Sequence, residues 1–192
     1  YTTRFTHVVW ANGFMVTQEE MDDNLYAEVG QRRSADLAFS MRQGHEQNCA
    51  DFYNDGFTTN HAAEGVPWFS ASHPTPTGNQ SNLLTAADLS ETSLEDAGIQ
   101  VMQAVDSMGR KIGLKMQSLH IAPANWYEAN RILKSINQND TALNAINVLR
   151  VTGEFPKGIK PNHYFDDADA YFIRTNARRG AIHFQRDPLD FN

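Results

Sequence analysis

The chain is poor in the features that mark several protein classes. It has one cysteine among 192 residues, and a lone thiol cannot close an intrachain bridge, so nothing suggests a disulfide-stapled secreted scaffold. No apolar run approaches the roughly 20 residues that carry a helix across a bilayer. Basic residues are outnumbered, 16 Lys and Arg against 23 Asp and Glu, for a formal charge of −7. A nucleic-acid reader needs a basic stripe to displace counterions from phosphate, and this balance argues against one. Gly-x-Ser-x-Gly, a phosphate-binding glycine loop and His-Glu-x-x-His are all missing, and no catalytic triad stands out. The two Asn-x-Ser/Thr matches, Asn79-Gln80-Ser81 and Asn139-Asp140-Thr141, are short enough to arise by chance and carry no weight.

Proline is also missing from residues 17–55, and this stretch organises the rest. Thr17-Gln18-Glu19-Glu20 is a capping box, in which the Thr hydroxyl and the Glu carboxylate each accept an orphan backbone N–H. Acids follow at once (Glu19, Glu20, Asp22, Asp23) and arginines later (Arg32, Arg33, Arg42), the order the helix dipole favours. Asn54-Asp55-Gly56 supplies the stop. The spacing predicts one helix over 17–55, on the order of 55 Å long, more than the core of so small a domain needs. Its apolar line, Met21, Leu25, Val29, Leu37, Met41 and Cys49, advances in fours and eights. Each step of four overshoots a turn by roughly 40°, so the stripe winds and meets different partners along the rod. Gly30 and Gly44 mark candidate bends or a break.

Residues 4–16 are β-rich and read as one half of a hairpin, with Ala11-Asn12-Gly13 as a turn or bulge. Residues 57–82 are irregular and read as an extended arm. A second helix is expected from the box Thr92-Ser93-Leu94-Glu95, with Leu94, Gly98, Val101, Val105 and Met108 on its face and Gly109 as its stop. A strand is expected over 117–122. Pro123 then opens a helix whose face is Trp126, Ala129, Leu133 and Ile136. Residues 146–151 read as another strand, and 170–174 as pairing with 181–185 across a loop at 175–180. The succession gives an α+β domain after about residue 92. Beginning at Tyr1-Thr2-Thr3-Arg4-Phe5, without Met, the chain reads as a fragment with structure expected in front.

Three groups carry candidate chemistry. His45 and Cys49, four apart, could put two zinc ligands on one helix face; with no second His/Cys pair spaced to complete the set, the reading is an inert core Cys beside a polar His. His163, Asp166, Asp167 and Asp169 could hold a divalent ion and would anchor a metal-dependent hydrolase. Asp-Asp-x-Asp before a strand is also ordinary turn chemistry, the preferred reading. Arg178-Arg179-Gly180 tips the expected hairpin, where it could meet acids on a neighbour or simply be solvated.

Three segments together resemble the major capsid protein of tailed double-stranded DNA bacteriophages, with the fold named HK-ninety-seven, in its Mu-like head-subunit branch. They are Gly13-Phe14-Met15-Val16-Thr17-Gln18-Glu19 running to Phe52-Tyr53-Asn54-Asp55-Gly56-Phe57; Trp68-Phe69-Ser70-Ala71-Ser72-His73-Pro74 followed by residues 82–90; and Leu119-His120-Ile121-Ala122-Pro123-Ala124 with residues 144–151 and Ala170-Tyr171-Phe172-Ile173. Ala124 stands where the family has a second proline.

The resemblance implies that residues 1–16 are the return strand of an extended loop, 17–91 a peripheral domain with the spine helix at 17–55 and an extended arm, and 92–192 the axial domain and the start of the return to the peripheral domain. It implies that the N-terminal arm, the outgoing loop strand and a C-terminal strand are missing from this fragment. It implies a structural subunit without catalysis, cofactor or metal, forming hexamers and pentamers of an icosahedral head that encloses DNA without reading its sequence. Scaffolding, portal or decoration proteins are further implied partners, the virion capsid the location, and the bacterial cytoplasm the place of assembly. Arg32, Arg33, Arg178 and Arg179 are the candidate subunit-interface residues. An encapsulin-like compartment shell is the alternative of the same architecture.

Overall fold

The computed structural model describes residues 6–23, 26–58, 64–138, 145–178 and 180–186. A short helix α1 (Gln18–Asp22) precedes a long one, α2 (Tyr26–Asn54). The capping box forms as the sequence predicts: Thr17 Oγ1 accepts from the Glu20 N–H at 3.3 Å and Glu20 Oε2 from the Thr17 N–H at 3.0 Å. The expected single helix over 17–55 does not. The Arg33 guanidinium binds Glu20 at 2.6 and 3.1 Å and also donates to the Met15 carbonyl. Thirteen residues along one straight helix span about 20 Å, so that ion pair requires α1 to turn back beside α2. The remaining rod has 29 residues and runs roughly 43 Å, passing through Gly30 and Gly44 without a break. Leu25, one of its expected apolar positions, lies outside the described residues.

Residues 6–16 carry no strand. A ladder needs a partner for its backbone groups, and among the described residues no strand lies beside this segment. The arm holds a small antiparallel hairpin, β1 (His73–Thr75) with β2 (Gly78–Gln80), and is otherwise irregular as expected.

Helix α3 (Glu91–Met102) begins earlier than the expected Thr92 box, because Ser90 and Ser93 cap each other: each hydroxyl accepts the other's backbone N–H, at 3.1 and 2.9 Å. It also ends earlier. Val105 and Met108 fall in a following turn, closed by a Val105–Lys111 bridge, with Gly109 at φ +78° as its corner. Asp106 organises that turn by accepting the N–H groups of Met108 and Arg110 at 2.8 and 2.9 Å. The backbone bond from Arg110, first, and the one from Met108 hold its carboxyl below the ordinary range.

The core sheet is β4-β3-β5. Its centre, β3 (Met116–Ile121), matches the expected strand to within a residue. It runs parallel to β4 (Ile159–Pro161) and antiparallel to β5 (Tyr171–Thr175), with Leu119 opposite both Ile159 and Ile173 and a register shift between Met116 and Ser118. The expected pairing of 170–174 with 181–185 is therefore replaced. Phe172 is buried and Ile173 half-buried: joining the three-stranded sheet puts Phe172 under Tyr53 and Phe69 and Ile173 against the core, whereas an isolated two-stranded hairpin is marginal.

Pro123 opens a 3-10 turn (Pro123–Asn125) leading into α4 (Trp126–Lys134), as the sequence predicts. Leu94, Leu119, Ile121, Ala129, Ile132 and Leu149 form the core beneath one face of the sheet, with Trp126 and Leu133 packed against it. Ile136, expected on that face, is 70% exposed. The strand expected over 146–151 is instead a helical turn, α5 (Val148–Thr152). Fully buried Asn147 decides this: its Oδ1 accepts the Arg150 N–H at 3.1 Å while its Nδ2 donates to the Ile132 carbonyl and to Ser135 Oγ. Gly153, at φ +64°, ends the turn.

Candidate assembly surfaces

The opposite face of the sheet receives the end of α2. Ser118 and His120 point to this side, joined at 3.1 Å between Oγ and Nε2. Tyr53 lies 4.9 Å from the Phe172 ring and stacks on His120 at 6.0 Å. Phe69 from the arm packs on Phe172 at 5.1 Å and on Phe57 at 5.0 Å, and Phe52 meets Trp68 edge to face. Asn54 fastens the junction, donating to the Tyr164 carbonyl at 2.9 Å and accepting from the Asp166 N–H at 3.3 Å. The sequence shows these aromatics singly; their convergence is tertiary. Burial pushes the Tyr53 hydroxyl up. Burial, first, then Arg174 and Lys160 push the His120 imidazole down, so a neutral ring is favoured between these cations.

The other end of α2 is held by the Arg33–Glu20 pair. Accepting the Thr17 N–H and lying beside Arg33 both hold the Glu20 carboxyl below its usual range. Between the two anchors the rod is only partly covered: every residue from 42 to 48 is exposed, and Ala50 is the one buried residue among those described in α2. Val29, Leu37, Met41 and Cys49 of the expected stripe are half-buried, whereas Phe39 is 63% exposed. Residues before α1 are barer still, with Val9 at 90% and Trp10 at 69%.

The candidate interface arginines sit differently. Arg32 is exposed and pairs with Glu28 one turn back at 3.1 Å, a contact of a few tenths of a kcal/mol at most. Arg33 is engaged within its own chain. Arg178 is exposed, and Arg179 lies outside the described residues.

His163, Asp166, Asp167 and Asp169 are all exposed and do not gather as a ligand set. Asp167 Oδ1 accepts the Asp169 N–H at 3.0 Å, the turn chemistry expected of Asp-Asp-x-Asp. Among the described residues, the group of three ligand side chains near enough to share an ion is His45, Cys49 and His183. The two-ligand reading of His45 and Cys49 missed His183, whose approach depends on the fold.

The accessible surface is 14103 Å², whereas a compact monomer of 21.6 kDa exposes about 9200 Å². Among the described residues, 6–15 and 42–48 are exposed throughout. The family model described as phage capsid protein matches residues 1–190. The chain belongs to that family. Comparison with curated proteins and with solved structures finds no match. The role is thus structural, in the capsid of the bacteriophage virion. No described helix is long and apolar enough to cross a membrane.

Proposed function

We propose that this chain is the major head subunit of a tailed bacteriophage, with the HK-ninety-seven-type fold of the Mu-like branch, assembling as hexamers and pentamers into an icosahedral shell around double-stranded DNA. The observation that carries the reading is the rod: α2 is anchored toward its two ends, and every residue from 42 to 48 between them is exposed. A helix so exposed gains most of its stability from packing that one chain does not supply. On this reading residues 17–91 are the peripheral domain and 92–192 the axial domain, with 1–16 a return strand that takes β form once paired. Arg32 and Arg178 face neighbouring copies, while Arg33 serves the interface indirectly by fixing α1 on α2. Individual contacts are modest and are multiplied by copy number. The net charge of −7 suits a container that holds DNA without gripping it. Scaffolding, portal and decoration proteins complete the head, assembled in the host cytoplasm.

Electron microscopy of the expressed full-length product tests this. Closed, uniform shells are expected; a protein that stays monomeric at every concentration overturns the proposal.

A further inference from the structure

Helix α2 presents His45 and Cys49 one turn apart, and the segment following β5 brings His183 to the same spot. The two imidazoles meet edge to face, with centroids 4.9 Å apart at 78°. One ligand atom from each ring and the Cys49 sulfur all lie within 4.8 Å of one another. We propose that His45, Cys49 and His183 form a binding site for a zinc-class divalent cation, which clasps the segment around His183 to the long helix.

The donor set selects the metal. Two imidazole nitrogens and a thiolate suit zinc and its borderline-soft neighbours, whereas magnesium and calcium require oxygen ligands. In a tetrahedral site, bonds of about 2.0–2.1 Å to nitrogen and 2.3 Å to sulfur put the donors about 3.3–3.6 Å apart. From spacings of up to 4.8 Å the donors have to close by at most about 1.5 Å. Both histidines are exposed and Cys49 half-buried, so rotation of two surface rings provides this without moving the helix. Binding releases the Cys49 thiol proton to solvent as the sulfur–metal bond forms. Glu46 lines the same cleft as Cys49 and adds negative potential that favours a dication. Three protein ligands leave the fourth position to water. The site joins elements of one chain, so its occupancy is readable on unassembled protein and is independent of the shell reading.

Cobalt(II) titration of the full chain, followed by visible absorption, tests the proposal. Tetrahedral cobalt bands and a thiolate-to-cobalt charge-transfer band are expected, saturating at one ion per chain and reversed by zinc. Cys49→Ser removes the charge-transfer band. His183→Ala, at an exposed position whose loss spares the core, weakens binding at least about tenfold, since even losing a partner of a ligand costs that much. The double variant Asp166→Ala, Asp167→Ala binds as the parent does. Absence of the charge-transfer band in the parent, parental affinity in His183→Ala, or loss of binding in the double Asp variant overturns the site.

Discussion

Gly56 sits where α2 runs out beneath the arm, and a side chain there has no room. A Cβ at this position would lie 2.6 Å from two ring carbons of Phe69 and 2.9 Å from the Phe52 carbonyl oxygen. Neither neighbour can yield cheaply. The Phe69 ring is wedged against Phe52, Tyr53, Phe57 and Phe172, and the Phe52 carbonyl belongs to the helix. Gly56→Ala should therefore destabilise by about 2–3 kcal/mol, the upper part of the range for overpacking. For a chain of this length that lowers the melting temperature by roughly 4–12 °C. Gly30→Ala is the opposing control. It lies inside α2 with nothing within 4 Å of an added Cβ, so the better helix former should stabilise by roughly 0.5–1 kcal/mol. Far-UV circular dichroism melts of parent and variants at low protein concentration, where assembly adds nothing, give both signs at once. A Gly56→Ala protein melting at or above the parent would refute the packing argument, and with it the claim that the aromatic junction is rigid.

Asn147→Ala removes the cap of α5 and orphans the Ile132 carbonyl, for a combined loss of about 2–4 kcal/mol in the urea unfolding free energy. Asn147→Ser keeps a capping oxygen and should recover about 1 kcal/mol of it; equal losses would show that the cap is idle. His120 predicts a pH slope. Burial, first, and the nearby Arg174 and Lys160 hold its folded pKa below the ordinary imidazole value of 6.5, so as pH falls through that value the unfolded chain takes up a proton that the native chain refuses, and stability declines until the native pKa is reached. Urea midpoints between about pH 7.5 and 5.5 should fall more in the parent than in His120→Phe; identical slopes would remove His120 as the cause.

Features written in local chemistry were legible from the sequence. Thr17 and Glu20 announce a cap because both partners lie within one turn. Pro123 marks a helix start because its missing N–H costs nothing there. Leu119-His120-Ile121 reads as part of a short strand, and 116–121 forms one. Legibility ended where a residue acts over distance. Glu20 looks like half of a capping box, and it is; nothing local shows that its carboxylate also receives Arg33 and turns the helix back. Ile146-Asn147-Val148-Leu149-Arg150-Val151 has the β-branched content of a strand, and one buried Asn, satisfied on both sides of its amide, overrides that preference. His45 and Cys49 carried a recognisable spacing, but His183 enters only through the path of the chain after β5.

The winding of the apolar line on α2 now has a structural cause. A stripe that kept one azimuth would suit a partner running alongside for the whole length. This one is used in two places: Val29, Leu37 and Met41 are half-covered along the stretch fastened by Arg33 to Glu20, and Phe52 and Tyr53 are covered at the far end by the arm and sheet. The rotation between those faces leaves Phe39 and the polar turns from 42 to 48 turned outward. Because an unsupported helix is marginal in water, a 29-residue rod covered mainly toward its ends is sensitive to whatever lies against the middle. Under the proposed assembly, contact between neighbouring subunits at the middle of α2 would add directly to the stability of each subunit.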